Sequence, residues 1–252
     1  MRIKSLLAAA ALAAVAVMPA TAAEGVKLDG FRPDVRDAAS LQRGAAVYMN
    51  YCLGCHGLAL MRYNTLQQIG LTDDQIRDNL MFTANKVGEP IVTPMTRADG
   101  KVWFGAAPPD LSVIARSRGP DWLYTYLRGF YRDPSTQTGW NNTAFPNVGM
   151  PHVLWPLQGE RNMTLVPVTR NGQPVMDHGK PVMEARFETV RPGSQSSAEY
   201  DRTVADLVNF LVWAGEPAQV KRQQIGYWVL MGLGILIFVS WLLYKEFWRD
   251  IH

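Results

Sequence analysis

The two cysteines of this chain stand three positions apart, and a histidine directly follows the second. The segment reads Cys52-Leu53-Gly54-Cys55-His56, and the sequence contains no other cysteine. The C-x-x-C-H spacing is typical of covalent haem attachment, in which both sulfurs form thioethers and the adjacent imidazole binds the iron. The motif therefore predicts a fold built around one haem c, with His56 as the proximal iron ligand.

Two other kinds of site also use neighbouring cysteines. A thioredoxin-like redox pair lies between a preceding strand and a following helix, whereas residues 37–49 have the apolar spacing of a helix and lead directly into the motif. A zinc site requires further ligands, and the histidines elsewhere are only His152, His178 and His252. Haem attachment is favoured over both.

The second axial position of the iron needs a ligand from a distant part of the chain. Met150 is the candidate, because it lies in a loop bracketed by Pro146 and Pro151 that would hold its side chain rigidly. A thioether ligand raises the reduction potential, which suits an electron carrier. His152 is the competing ligand; bis-histidine ligation would lower the potential and leave Met150 without a role.

Two apolar segments predict where the chain is located. Arg2 and Lys4 precede an apolar run and then small residues, the layout of a cleaved signal peptide, which we assign to residues 1–23. Residues 225–244 hold 20 positions without Asp, Glu, Lys, Arg or His, and at about 1.5 Å per residue they cover roughly 30 Å, the thickness of a bilayer core. We expect a periplasmic haem domain at 24–220 and a single-pass anchor of the bacterial inner membrane, with a short cytoplasmic tail, at 221–252.

The charge balance excludes a nucleic-acid partner. Residues 24–220 carry 19 Lys and Arg against 20 Asp and Glu, a net charge of −1. Binding to nucleic acid requires a dense basic face. The formal charge of +3 for the whole chain comes from its two ends.

Local patterns predict a mainly α fold. Helices are expected at 37–49, 72–80, about 120–131 and 196–215, the second and the last opening with capping boxes, Thr72 with Gln75 and Ser196 with Glu199. Residues 134–192 are expected to be mostly loop, with edge strands at 164–168 and 181–188 around a turn at 171–172. No internal repeat is expected in the chain. The predicted fold class is thus a cytochrome c-type haem domain with long loops, a small β excursion and one C-terminal transmembrane helix.

Beyond the haem motif, the sequence resembles the cytochrome c1 family over nearly all residues after 23. The resemblance rests on several segments: C-x-x-C-H, Met61-Arg62-Tyr63-Asn64, residues 105–112 (GAAPPDLS), Arg116-Ser117-Arg118, Met150-Pro151, residues 210–217 (FLVWAGEP) and the C-terminal anchor. One departure is at residues 101–104. The family has an Asn-rich segment before the position of Gly105, whereas this chain has Lys101-Val102-Trp103-Phe104.

The resemblance implies roles for individual residues. Met150 would be the second axial ligand, and Pro109 would pack against the haem ring near His56. Arg118, with Arg116 as the alternate, would pair with a haem propionate, a role that suits the paired donors of a guanidinium. Trp122 lies where the family has an aromatic side chain near the haem.

The resemblance also implies a function in respiratory or photosynthetic electron transport. The chain would not be an enzyme on its own but a subunit of a ubiquinol-cytochrome c oxidoreductase, the cytochrome bc1 complex, with cytochrome b in a dimeric assembly. It would accept electrons from the Rieske iron-sulfur protein and pass them to a soluble or tethered cytochrome c. A second interpretation is an anchored cytochrome c that donates to a terminal oxidase or another reductase. A third is a haem enzyme or gas sensor, which would bind carbon monoxide readily.

Overall fold

The structure, a computed structural model, describes residues 27–249, so the predicted signal peptide lies outside the described residues. The described part is mainly helical, with short strands and one apolar C-terminal helix, as the sequence predicted. The helices are α1 (Ala38–Tyr51), a 3-10 helix (Tyr63–Ile69), α2 (Asp73–Asn79), α3 (Arg97–Phe104), α4 (Ile114–Arg118), α5 (Pro120–Arg128), α6 (Trp155–Gln158), α7 (Ser197–Gly215) and α8 (Gln219–Phe247).

The strands pair only two at a time. They are β1 (Leu58–Arg62) with β2 (Pro90–Ile91), β3 (Phe130–Arg132) with β4 (Trp140–Asn142), β5 (Gly159–Pro167) with β10 (Met183–Pro192), β6 (Thr169–Arg170) with β7 (Gln173–Pro174), and β8 (Met176–Asp177) with β9 (Lys180–Pro181). All five pairs are antiparallel. Helix packing, not a sheet, therefore forms the core.

Helices α1 and α7 cross at the centre of this core. A Cβ on Gly44 of α1 would lie 2.1 Å from the carbonyl oxygen of Asp206 on α7, so only glycine permits this approach. Polar contacts hold the crossing in register: Ser40 donates from Oγ to Asp206 at 2.6 Å and accepts from Asn209 Nδ2 at 2.9 Å. Arg43 adds an ion pair with Asp206. The crossing matters for the site because α1 ends at Cys52.

Replacing Gly44 with alanine is expected to destabilise the protein by about 2–3 kcal/mol, because the added methyl group forces the two helices apart. Helix propensity alone would favour alanine by about 1 kcal/mol, so the sign of the effect separates packing from propensity. Thermal unfolding of the full chain in detergent, followed by far-UV circular dichroism, measures it. Gly30→Ala is the control, because a Cβ there would meet nothing within 4 Å. An unchanged melting temperature for Gly44→Ala would contradict the prediction.

Both predicted capping boxes are present, at Thr72 with Gln75 and at Ser196 with Glu199. The helix expected at 120–131 is shorter than predicted and ends at Arg128. The residues after it enter β3, which pairs with β4. Here pairing with residues eight to twelve positions away overrides the local helical spacing of the apolar residues.

Residues 159–192 form an extended β arm. The strands predicted at 164–168 and 181–188 are confirmed over residues 164–167, which belong to the longer β5, and over residues 183–188, which belong to the longer β10. These two strands pair directly from Gly159 with Pro192 to Pro167 with Met183. The predicted turn at Asn171 and Gly172 is also confirmed, with φ of 54° and 79°. It closes the small β6–β7 hairpin instead of joining the two predicted strands.

The tip of the arm contains a repeat, so the expectation of none was wrong. Pro-Val recurs every seven residues, at 167–168, 174–175 and 181–182. The three valines form a ring of backbone hydrogen bonds, Val175 to Val168, Val182 to Val175 and Val168 to Val182, each 2.8 Å long. A second tight turn, His178-Gly179 with φ of 47° and 78°, closes the β8–β9 hairpin.

Helix α8 has the length and composition to cross a membrane, and the predicted span at 225–244 lies within its 29 residues. Within the described residues, the apolar side chains of this span are exposed, and no residue of α8 is buried. Only a short connection separates it from α7, and Glu216 in this connection pairs with Arg222 of α8 and with Arg116 of α4. The first turns of α8 are therefore held against the helical domain.

Candidate functional site

The two cysteines lie in a tight turn that continues directly from α1. Cys52 donates its backbone N–H to Tyr48 at 2.9 Å, and His56 donates to the carbonyl of Cys52 at 2.8 Å. The two cysteines are not joined in a disulfide. A helix, not a strand, precedes the motif, which differs from the arrangement of a thioredoxin-like site.

Both thiols are held in their neutral form. Burial raises the pKa of Cys52 to about 12, with a smaller contribution from neighbouring Cys55. Burial also raises the pKa of Cys55. Cysteines that exchange disulfides have lowered pKa values, because the thiolate is the reactive form. The electrostatics of the turn therefore disfavour a redox-active dithiol.

The His56 imidazole is oriented by the loop that follows α3. Its Nδ1 lies 2.7 Å from the carbonyl oxygen of Pro109. A carbonyl only accepts, so Nδ1 carries the hydrogen and Nε2 keeps a free lone pair. Burial lowers the pKa of His56, opposed in part by this hydrogen bond and by Asp110. A neutral, oriented imidazole with a free Nε2 is the form that binds a metal ion.

An open cavity of about 320 Å³ lies beside the motif. Seven of the eight residues assigned from the sequence line it: Cys52, Cys55, His56, Pro109, Arg118, Trp122 and Met150. Apolar side chains from α5, α7 and the adjoining loops supply most of the remaining wall, among them Leu123, Leu127, Leu207 and Leu211. Residues spread over a hundred positions of sequence thus face one apolar space.

Met150 reaches the cavity on a loop that is fixed by hydrogen bonds. Asn147, with φ of 60°, donates its backbone N–H to Asn141 Oδ1 at 2.8 Å. Asn142 accepts from the backbone N–H of Ala144 at 2.8 Å. A Cβ on Gly149 would lie 2.7 Å from the carbonyl oxygen of Phe104, so this backbone packs closely against the end of α3. The two prolines on which the sequence prediction relied are therefore only part of what holds the loop.

His152, the competing ligand, is not among the residues that line the cavity. Its side chain is 2% exposed and stacks on Phe130, with ring centroids 4.8 Å apart and planes 6° from parallel. Trp140 and Tyr200 contact it edge-on. Burial lowers the pKa of His152 to about 3, so the ring stays neutral in an aromatic cluster. The structure thus brings Met150, and not His152, to the cavity.

The two arginines of α4 have different surroundings. Arg118 lies over the ring of Trp122, 5.0 Å from its centroid, and both line the cavity. Arg116 does not line it; its side chain is 62% exposed and lies 3.5 Å from the carboxylate of Glu216. Residues two positions apart on a helix face different directions. Of the two, Arg118 is therefore the one placed to meet an anionic group in the cavity.

Several cavity residues were not identified from the sequence. Phe104 lines the cavity, although its segment departs from the pattern of the family that the sequence resembles. Phe145 and Val153 also line it, from the loop that carries Met150. Tyr126 lines it as well, and its hydroxyl donates to Met150 Sδ at 3.3 Å. The helical spacing of Trp122 and Tyr126 was the one available signal, since both recur on the same face of α5.

A second, larger cavity of about 500 Å³ lies between α5, α7 and the base of the arm. Its lining includes Arg128, Arg161, Asp201 and Tyr200, and none of its lining residues is a cysteine, histidine or methionine. This space does not offer the ligands of a haem. The residues of the first cavity fit a covalently bound haem, with two thiols, one imidazole, one thioether, one guanidinium and apolar walls.

Comparison with known proteins agrees with this chemistry. The profile of the Cytochrome C1 family matches residues 33–251. The chain is 46% identical over 229 residues to a cytochrome c1 of Allochromatium vinosum, covering 90% of this chain and 91% of that protein. It is 47% identical over 227 residues to a Nitrosomonas europaea protein named ammonia monooxygenase gamma subunit, covering 90% of each. A cytochrome c1 of Rhodospirillum rubrum is 27% identical over 237 residues, covering 85% of this chain and 83% of that protein. This chain therefore belongs to the cytochrome c1 family.

Proposed function

We propose that this chain accepts single electrons from the Rieske iron-sulfur protein and passes them to a soluble or tethered cytochrome c. Members of its family are c-type cytochromes of the bc1 complex and carry haem c, which this chain binds through Cys52 and Cys55. When bound, the haem iron supplies a one-electron couple. The proposal is carried by one observation, the convergence of Cys52, Cys55, His56 and Met150 on a single apolar cavity.

Each residue of the cavity has a part in this proposal. The Pro109 carbonyl holds His56 in the tautomer that binds iron through Nε2. Met150 would supply a thioether ligand to the iron, which would favour the reduced state and raise the potential. The leucines of α5 and α7 exclude water, and Arg118 compensates the charge of a propionate. With both His56 and Met150 holding the iron, little of the site would need to rearrange when an electron arrives or leaves.

The location is part of the same proposal. Helix α8 is the membrane anchor, and we place the haem domain in the periplasm, with α8 crossing the bacterial inner membrane once. The support is the signal-peptide layout of residues 1–23, the length of α8, and the contact of Glu216 with both α4 and α8. Residues 24–220 would then form the periplasmic domain. Cytochrome b would be the partner within the membrane, in a dimeric complex.

Extraction of the tagged full chain from membranes in mild detergent tests the proposal. We expect cytochrome b and the Rieske protein to be recovered with it, and ubiquinol to reduce its haem. In membranes that lack the Rieske protein, the haem of this chain should stay oxidised while cytochrome b is still reduced. Reduction at an unchanged rate without the Rieske protein would refute the proposed donor. Recovery of a terminal oxidase in place of cytochrome b would favour the alternative role.

A further inference from the structure

The hydroxyl of Tyr126 has a single hydrogen-bond partner among the described residues, the sulfur of Met150. The distance from the hydroxyl oxygen to Sδ is 3.3 Å, within the range for a bond to sulfur. Tyr126 is 8% exposed and lines the cavity together with Met150. A buried hydroxyl needs a partner, and here that partner is the group proposed as an axial ligand.

The position of this hydroxyl is set by its surroundings. The Tyr126 ring stacks on Trp122, with centroids 4.7 Å apart and planes 12° from parallel, and meets Phe130 edge-on at 5.1 Å. Its backbone carbonyl accepts from Asn142 Nδ2 at 2.7 Å. Asn142 also accepts from the backbone N–H of Ala144 in the Met150 loop. One asparagine thus connects the helix that carries the donor to the loop that carries the acceptor.

We propose that Tyr126 tunes the reduction potential by donating a hydrogen bond to the thioether of Met150, an inference that rests on the proposed ligand role of Met150. A thioether sulfur has two lone pairs, so it can bind iron with one and accept from the hydroxyl with the other. The hydrogen bond withdraws electron density from the sulfur and weakens its donation to ferric iron more than to ferrous iron. The reduced state is favoured, and the potential rises. Tyr126 is a positioning residue that acts through Met150.

The experiment compares Tyr126→Phe with Tyr124→Phe in the haem-loaded full chain. Tyr124 lies on the same helix but stacks on Phe31 and is not among the residues that line the cavity. We expect Tyr126→Phe to shift the ratio of oxidised to reduced haem at a given potential about fivefold towards oxidised, the scale of one hydrogen bond. This equals a fall of roughly 40 mV, at about 59 mV per tenfold for one electron. Tyr124→Phe should leave the potential unchanged.

Two further measurements separate a hydrogen bond from a merely structural effect. The weak red charge-transfer absorption of sulfur-ligated ferric haem should persist in Tyr126→Phe, because the sulfur still binds. Added imidazole should displace Met150 from the oxidised variant about fivefold less readily, since the sulfur has become the better donor. An unchanged melting temperature would show that the fold is intact.

The possible results are distinct. Equal potentials for Tyr126→Phe and Tyr124→Phe, with the sulfur absorption present, would overturn this inference and leave the proposed function standing. Absence of the sulfur absorption in the unmodified protein would overturn it together with the ligand role of Met150. A fivefold shift in a chain that does not associate with cytochrome b would support the inference and refute the proposed partners.

Discussion

Replacing Met150 with leucine is expected to lower the reduction potential by on the order of 0.1–0.2 V, within the roughly 0.8 V that axial ligands span. The red charge-transfer absorption of the ferric protein should disappear as well, because it requires the sulfur. Leucine has a similar volume and no donor atom, so the change removes the proposed ligand while keeping the apolar wall. Potentiometric titration and the absorption spectrum of the oxidised full chain measure the two effects.

The matched control for this substitution is Met61→Leu. Met61 is also buried, but it lies in β1 and is not among the residues that line the cavity. Its replacement should change neither the spectrum nor the potential. The reduced Met150→Leu protein should bind carbon monoxide readily, whereas the unmodified protein should not. If the spectrum and the potential of Met150→Leu were unchanged, another group would be the second axial ligand.

Replacing both Cys52 and Cys55 with serine is expected to abolish covalent haem, so that no haem remains with the denatured chain. Each single variant should retain one thioether or lose the haem, and its alkaline pyridine spectrum should shift from the form typical of two thioethers. Haem staining of denaturing gels and the pyridine spectrum measure these results. Covalent haem in the double variant would contradict the attachment through these sulfurs.

The two single variants should differ in yield. Cys52 is buried while Cys55 is partly exposed. A serine hydroxyl at position 52 would enter an apolar site without a partner, at a cost of about 1–3 kcal/mol. We therefore expect less folded protein from Cys52→Ser than from Cys55→Ser. Cys52→Ala is the control, because it removes the sulfur without adding a polar group and should recover much of the difference.

The helix starts at Thr72 and Ser196 were predictable because a capping box is formed by residues three positions apart. The end of α5 was not predictable from local sequence, because the residues after Arg128 pair with a strand that begins at Trp140. The arm likewise has one feature that was predictable from local sequence and one that was not. Its turn at Asn171 and Gly172 was visible locally, whereas the direct pairing of β5 with β10 depends on two segments separated by both small hairpins.

The candidate site divides in the same way. The motif at residues 52–56 is recognisable from spacing alone, since thioether attachment and the adjacent imidazole demand that spacing. The choice between Arg116 and Arg118 stayed open in the sequence, because two neighbouring basic residues carry the same charge and differ only in direction. The orientation of α4 separates them, leaving Arg116 beside Glu216 and turning Arg118 towards the cavity.

By itself, the sequence determined the haem chemistry, the helical character of the domain and the apolar C-terminal helix, because each depends on residue type and on spacing within a few turns of chain. Only the tertiary structure decided that Met150 and not His152 lines the cavity, that the Pro109 carbonyl orients His56, and that the Tyr126 hydroxyl meets the Met150 sulfur. These contacts join residues between 24 and 53 positions apart. Their formation depends on the crossing of helices and the path of loops, which local patterns do not encode.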